Sequence, residues 1–345
     1  HSSQELSRAR FRIETKSQRV RTSAFIVGLL CMTLLCGCAN RPDISLNIHE
    51  CSAMPQGRAS ATCFVFNNNA YVFAGRDSSG TCLNDMWRYT PTTDTWENLG
   101  ATPLSPRVNA TACVCDDRVY VGLGFKGWHG RDESYLRDWW EYSPATDTWT
   151  RLADYPNTYT DAATAFADNT EELYVGYGFC WNYRRDMFRY TIAENRWDSI
   201  DVHVPFDGYP TRSFGGTGCT CQGRHFMGTG YRRHSLNWWA ELVDGTHWEK
   251  RATVPGKQRT LAASAATSNY IYLCGGIHYG GVNTTGEVLQ DIRRYDPSTD
   301  QWKWVAVMPQ PLLNHICFTV NGKVYWGLGE NEDWHVNNRL YYIEE

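Results

Sequence analysis

The chain has 345 residues, 42% apolar and 20% charged, with a formal net charge of −4; this suffices for a large core and lacks the cationic excess that nucleic acid demands. Its 15 tryptophans and 20 tyrosines stand against almost no long apolar periodic stretch, so many short strands are predicted in place of helices. All-β rings use this much chain as one domain, and internal repetition therefore decides the architecture.

The first segment places Arg8, Arg10, Arg12, Lys16, Arg19 and Arg21 ahead of an apolar run from Ala24 to Leu35. A charged region followed by a short apolar one is the order of an export signal, and the run is too short to span a bilayer comfortably. It ends in Leu35-Cys36-Gly37-Cys38, which resembles a bacterial lipoprotein signal with Cys38 as the acylated residue. Residues 1–37 are thus expected to be a signal segment, residues 38–43 a lipid-anchored linker, and the folded part to lie in the cell envelope, on the periplasmic side or the outer membrane surface.

From residue 54 onward the chain repeats at about fifty residues. In the first unit a strand ends near Phe66, a polar turn Asn67-Asn68-Asn69 follows, and Tyr71-Val72-Phe73-Ala74-Gly75 forms a second strand. Next come Asn84-Asp85-Met86-Trp87-Arg88-Tyr89, the turn Thr90-Pro91-Thr92-Thr93-Asp94 and a last strand at Trp96. Each turn carries residues suited to it, Pro and Asp to set it and Asn for left-handed geometry. The second strand ends again at Gly124, Gly178, Gly230, Gly276 and Gly329, and the fourth-strand tryptophan recurs at Trp149, Trp197, Trp248 and Trp302.

The glycine after a Tyr-bearing strand, the aromatic third strand ending in Tyr-x-Pro and the later Trp resemble the kelch repeat. The resemblance implies an all-β, six-bladed kelch-type β-propeller over residues 44–345. The last unit stops at Tyr341-Tyr342-Ile343 without a fourth strand, and Ile44-Ser45-Leu46-Asn47-Ile48 is expected to supply it from the N-terminal side. Such an exchange hides the two edges of an open stack of sheets.

Function is expected at the mouth where the long loops between second and third strands meet. Arg58, Arg107, Arg212 and Arg259 open first strands, with Asn314-His315 at a corresponding place. The long loops add Trp128, His129, Trp181, Arg184, Arg232 and His278, and the last loop adds Glu330-Asn331-Glu332-Asp333-Trp334-His335. Cationic forks among aromatics suit an anionic ring-containing ligand, an acidic sugar, or an acidic protein segment. The first-strand arginines equally suit structural hydrogen bonds, and the acidic loop equally suits a solvated surface.

Thirteen cysteines show no zinc-type spacing, and packed free thiols are favoured over a metal site; no metal or cofactor is expected. Besides a purely structural partner scaffold, two functions remain open. One is a monomeric envelope-anchored binding propeller that captures a glycan or protein partner. The other follows from a resemblance to the kelch-type N-acetylneuraminate epimerases, which implies acid–base isomerisation of an acidic sugar, with Arg212 or a loop arginine holding the carboxylate and Glu330 or Glu332 moving the proton.

Overall fold

The computed structural model describes residues 41–127, 134–168, 171–180, 182–183, 186–201 and 213–344. Apart from one 3-10 turn, Ile192–Glu194, the described residues form only strands, turns and loops. Six antiparallel four-stranded sheets follow one another along the chain. Blade 1 is Thr62–Phe66, Asn69–Phe73, Asp85–Thr90 and Thr95–Ala101; blade 2 is Thr111–Cys115, Arg118–Gly122, Trp139–Ser143 and Thr148–Arg151. Blade 3 is Thr164–Asp168, Glu172–Gly176, Met187–Thr191 and Arg196–Ile200; blade 4 is Thr217–Cys221, Arg224–Gly228, Trp239–Val243 and His247–Lys250. Blade 5 is Ala263–Ala266, Ile271–Cys274, Asp291–Asp296 and Gln301–Val307. Blade 6 is Ile316–Val320, Lys323–Gly327, Leu340–Ile343 and, from the N-terminal side, Ile48–Glu50. The innermost strand of each blade packs on that of the next, and blade 6 returns to blade 1, so the six sheets close a propeller.

Local chemistry explains each blade. First and second strands are joined by tight turns such as Asn67-Asn68, Gln222-Gly223 and Asn321-Gly322, whose paired positive φ angles match the twist of a hairpin. Third and fourth strands are stitched by a cross-strand aromatic pair, Tyr89 with Trp96, Tyr142 with Trp149, Tyr190 with Trp197 and Tyr295 with Trp302, at ring separations of 4.4 to 5.0 Å. Each of those tyrosine hydroxyls donates to a turn residue in left-handed conformation, respectively Asp94, Asp147, Asn195 and Asp300. The apolar flanks between blades are filled by fully buried Trp139, Trp239, Trp248 and Trp326.

Only one glycine of the kelch doublet is required here. Gly75 and Gly124 sit at φ near +90°, outside the left-handed well, and an added Cβ would stand 2.8 Å from the Ala59 carbonyl and 2.6 Å from that of Val108. The residues before them, Ala74 and Leu123, have φ of 60° and 58°, which non-glycine residues tolerate at modest cost.

The closing strand lies further along than expected. Ile48–Glu50, not residues 44–48, pairs with Leu340–Ile343, with Ile48 opposite Ile343. The preceding residues bond to blade 5 instead, where the Ile44 and Leu46 amides donate to the carbonyls of Trp304 and Val305. Ile44, Leu46 and Ile48 still turn one apolar face onto the core between blades 5 and 6, so the alternation was satisfied by a different backbone partner. Beyond Glu50 the segment behaves as any outer strand does. The Ser52 amide and hydroxyl donate to Asp94, and Trp96 donates to the Ser52 carbonyl. Ala153 and Ala252 make the same backbone links to blades 3 and 5.

No helix among the described residues is long and apolar enough to cross a membrane. The expected signal segment, and Cys38 with it, lies outside the described residues.

Candidate functional site

Each blade enters its first strand through a residue in left-handed conformation: Ser60, Asn109, Ala162, Gly215, Leu261 and Asn314. Their backbones link blade to blade around the axis. The amide of Asn109 donates to Ser60, Ala162 to Asn109, Leu261 to Gly215, Asn314 to Leu261, and Ser60 to Asn314. This collar of peptide groups forms the throat of the channel. Just outside it, a second layer of bridges joins the approach to the first strand with the loop after the second strand: Ala59 with Arg76, Val108 with Phe125, Asp161 with Phe179, Phe214 with Tyr231, Thr260 with Ile277, and Leu313 with Glu330.

That layer is chemically lopsided. On blades 2 to 4 it is aromatic, with Phe125 against Tyr135 at 5.0 Å and Phe179 against Phe214 at 5.4 Å. Where blade 6 meets blade 1 it is ionic. Glu330, 1% exposed, accepts from Arg76 at 2.5 Å and from the Asn314 side-chain amide at 3.0 Å. Tyr279, from blade 5, lies within electrostatic reach of both Glu330 and Tyr231; burial first, and then those neighbours, raise its pKa. The Tyr231 and Tyr279 rings meet edge to face at 5.7 Å.

Trp334 rises beside this corner, 52% exposed, on a turn in which the Asn331 carboxamide oxygen accepts from the amides of Asp333 and His335. It is the only large aromatic side chain this exposed among the described residues. Glu332 is exposed on the same turn, and Arg232 and Arg233 are exposed on the blade 4 loop. His278 is half-buried, with Nδ1 2.8 Å from the Gln258 carbonyl.

Several expected ligand residues take other places. Arg58, Arg107 and Arg259 are at most 1% exposed and each forms a two-pronged pair with an aspartate at the start of the third strand in its own blade, Asp85 and Asp291 as its first residue and Asp138 just before it. Each also donates to a backbone carbonyl, of Ala74, Leu123 or Gly275. Burial pushes the three carboxyl pKa values up, but the arginine hydrogen bonds and charge outweigh it and hold them below the usual range. These arginines therefore hold second strand to third strand and have no open face for a ligand. Blade 4 has Ser213 at that position, because Phe214 bridges Tyr231 as Ala59 bridges Arg76. Arg212 itself, with Trp128, His129, Trp181 and Arg184, lies outside the described residues.

His315 is 7% exposed and immediately precedes the first strand, where the other blades carry Ala61, Ala110, Ala163, Gly216 and Ala262. Its ring nitrogens meet no partner in good hydrogen-bond geometry, the Cys274 backbone offering only a loose one. Burial lowers its pKa to about 3, which keeps it neutral and in the core instead of at the mouth.

Sequence reasoning did not single out Arg76, which follows the second-strand glycine as Phe125 and Ile277 do elsewhere. A charge at a position that is apolar in four of six repeats was the available signal. The ten described cysteines are free thiols, and no cluster able to hold a metal occurs among the described residues. Cys274 and Cys317 bring their sulfurs to 3.8 Å between blades 5 and 6.

Comparison with known proteins agrees with this architecture. Residues 33–230 match the family described as the KLHDC2/KLHL20/DRC7 Kelch-repeats domain, and residues 258–306 match the Kelch motif. N-acetylneuraminate epimerase of Shigella sonnei is 35% identical over 89 residues, 25% of this chain and 23% of that protein. N-acetylneuraminate epimerase of Yersinia pestis is 30% identical over 126 residues, 35% of this chain and 30% of that protein, so the matched stretch spans less than a third of these relatives. Kelch-like protein 23 of Mus musculus is 25% identical over 73% of this chain and 42% of its own length. The solved structure of YjhT superposes with a TM-score of 0.68 at 16% identity, over 85% of this chain and 97% of that one. With repeats, ring closure and family match in agreement, the chain belongs to the kelch-repeat family.

Proposed function

We propose that this chain is an exported propeller whose mouth takes up an acidic sugar of the N-acetylneuraminate class and interconverts its anomers by acid–base chemistry. The observation that carries this reading is the ionic corner of Arg76, Glu330 and Asn314 beneath the exposed Trp334. The indole offers an apolar face to a sugar ring, the exposed Arg232 and Arg233 offer forks for a carboxylate, and Glu330 supplies a proton acceptor. The segments similar to the two N-acetylneuraminate epimerases support the same substrate class.

The test is to add a freshly dissolved single anomer of N-acetylneuraminate and follow equilibration by proton NMR. The wild type is expected to exceed the buffer rate, and Glu330→Gln to lose on the order of 10²-fold or more, the usual weight of one acid–base group. A second reading, favoured by the exposed Trp334, is capture of a glycan or protein partner without chemistry. It predicts quenching of tryptophan fluorescence by the ligand with a rate equal to the buffer control.

Cys38 belongs to the same proposal as the lipid attachment point of a monomer in the cell envelope. Metabolic labelling with a fatty acid is expected to mark the full-length chain and to vanish in Cys38→Ala.

A further inference from the structure

Cys274 ends the second strand of blade 5, Cys317 lies in the first strand of blade 6, and their sulfurs stand 3.8 Å apart across the join between the two blades. The first is fully buried and the second 7% exposed. Both belong to one core cluster with Ala263, Ala265, Val305 and Leu312, against which Ile44 and Leu46 pack from the N-terminal side. Other thiols of the ring are engaged differently. Cys63, Cys82 and Cys221 each donate to a backbone carbonyl, of Cys317, Lys126 and Thr267 respectively. In the Cys274–Cys317 pair sulfur meets sulfur instead, and a thiol is a weak donor and a weak acceptor, so the contact adds little by itself. An approach of about 1.8 Å brings the two atoms to the bonded separation of about 2.05 Å. The residues are 43 positions apart, and the chain between them carries the third and fourth strands of blade 5.

We infer that Cys274 and Cys317 are a modification site, joined as a disulfide that fastens blade 5 to blade 6 when the chain folds in the presence of a disulfide oxidant. One cysteine, as the thiolate, attacks a sulfur of a small disulfide such as glutathione disulfide; that bond breaks and one glutathione leaves. The second cysteine attacks the protein-bound sulfur of the mixed disulfide, which forms the Cys274–Cys317 bond and releases the second glutathione. Two protein thiols are oxidised, one glutathione disulfide is reduced to two thiols, and the two protons pass to them. Burial sets the order of events. Contact with Cys274, and then burial, hold the Cys317 pKa high once the blades are seated, so exchange belongs to the stage when blade 6 is still off blade 5. The same burial then shields the finished bond from reductants. Lying under Ile44 and Leu46, the bond holds the last blade in the ring independently of the N-terminal segment. The export proposed above brings a chain to such oxidants, but the test supplies one directly and does not depend on that proposal.

The purified full chain is incubated with glutathione disulfide in urea just below its unfolding transition, where blades open and reclose, and is then alkylated and digested without reductant. Mass spectrometry of the wild type is expected to show the Cys274 and Cys317 peptides joined, two hydrogens lighter than the separate thiols. Recovery of both residues as alkylated thiols or as glutathione adducts overturns the inference, and so does a link from Cys317 to Cys63, the thiol that donates to its carbonyl from blade 1. Urea unfolding reads the fastening itself. Oxidation is expected to shift the wild-type midpoint upward, reduction of the unfolded chain to return it, and Cys317→Ser to respond to neither treatment. A joined wild type whose midpoint does not move overturns the fastening.

Discussion

Asp161 and His315 are displaced from their ordinary pKa values in opposite senses by one cause, burial. The raised Asp161 contributes stability that is present below its unfolded value near 4 and lost as pH rises through about 7. The depressed His315 contributes stability that is present above its unfolded value of 6.5 and lost as pH falls toward about 3. Thermal midpoints measured from pH 4 to 8 are therefore expected to separate the two: Asp161→Asn gains on the wild type as pH rises, and His315→Ala loses the acid-side decline. Arg58→Ala is expected to cost about 3–5 kcal/mol in urea unfolding, because it strands the Asp85 carboxylate among apolar strands. The residue types of the repeat were readable in the sequence, but roles were not. An arginine at the start of a strand advertises donors, and only the folded register shows that its acceptor, 27 positions on, already consumes them.

Turns between third and fourth strands do more than reverse the chain. Asp94 accepts from the Tyr89 hydroxyl and from the Ser52 amide and hydroxyl, so one carboxylate ties a blade internally and to its neighbour. Asn195 performs both tasks in blade 3 with a carboxamide. Asp94→Asn is thus expected to be nearly neutral, whereas Asp94→Ala loses several acceptor contacts at a positive φ and is expected to cost about 2–3 kcal/mol by thermal or urea unfolding. Strand content was legible because glycines, turn asparagines and Tyr–Trp pairs recur at fixed offsets. The clasp was legible only to within a few residues. Period-two alternation reports which side chains face the core, and Ile44 and Leu46 meet that demand beside blade 5 as well as they would beside blade 6.

At the scale of the whole ring, every blade is sealed by its neighbours, and the join between Ile48–Glu50 and Leu340–Ile343 is the one within a blade that unites opposite ends of the described chain. Removing residues 42–53 uncovers the Leu340–Ile343 edge and strips Asp94 and Trp96 of their Ser52 partners. Size-exclusion chromatography is expected to show association of the shortened chain through that edge, reversed by a synthetic peptide of the missing residues. The repeats made the number of blades countable from sequence, whereas the mouth depends on positions where blades disagree: Glu330 was legible in the acidic last loop, and its partner Arg76 was not.

The Ile48–Ile343 pairing also sets a timetable for biosynthesis. The ribosome adds Leu340–Ile343 about 300 residues after Ile48–Glu50, which at about 5–20 residues per second is a delay of roughly 15 to 60 seconds. Throughout that interval the early strand has no mate, and the two sheets at the ends of the growing stack each keep one flank open to water. Secretion of the polypeptide before it collapses, or a chaperone that shields the waiting strand, would spare the nascent chain from pairing with the wrong molecule.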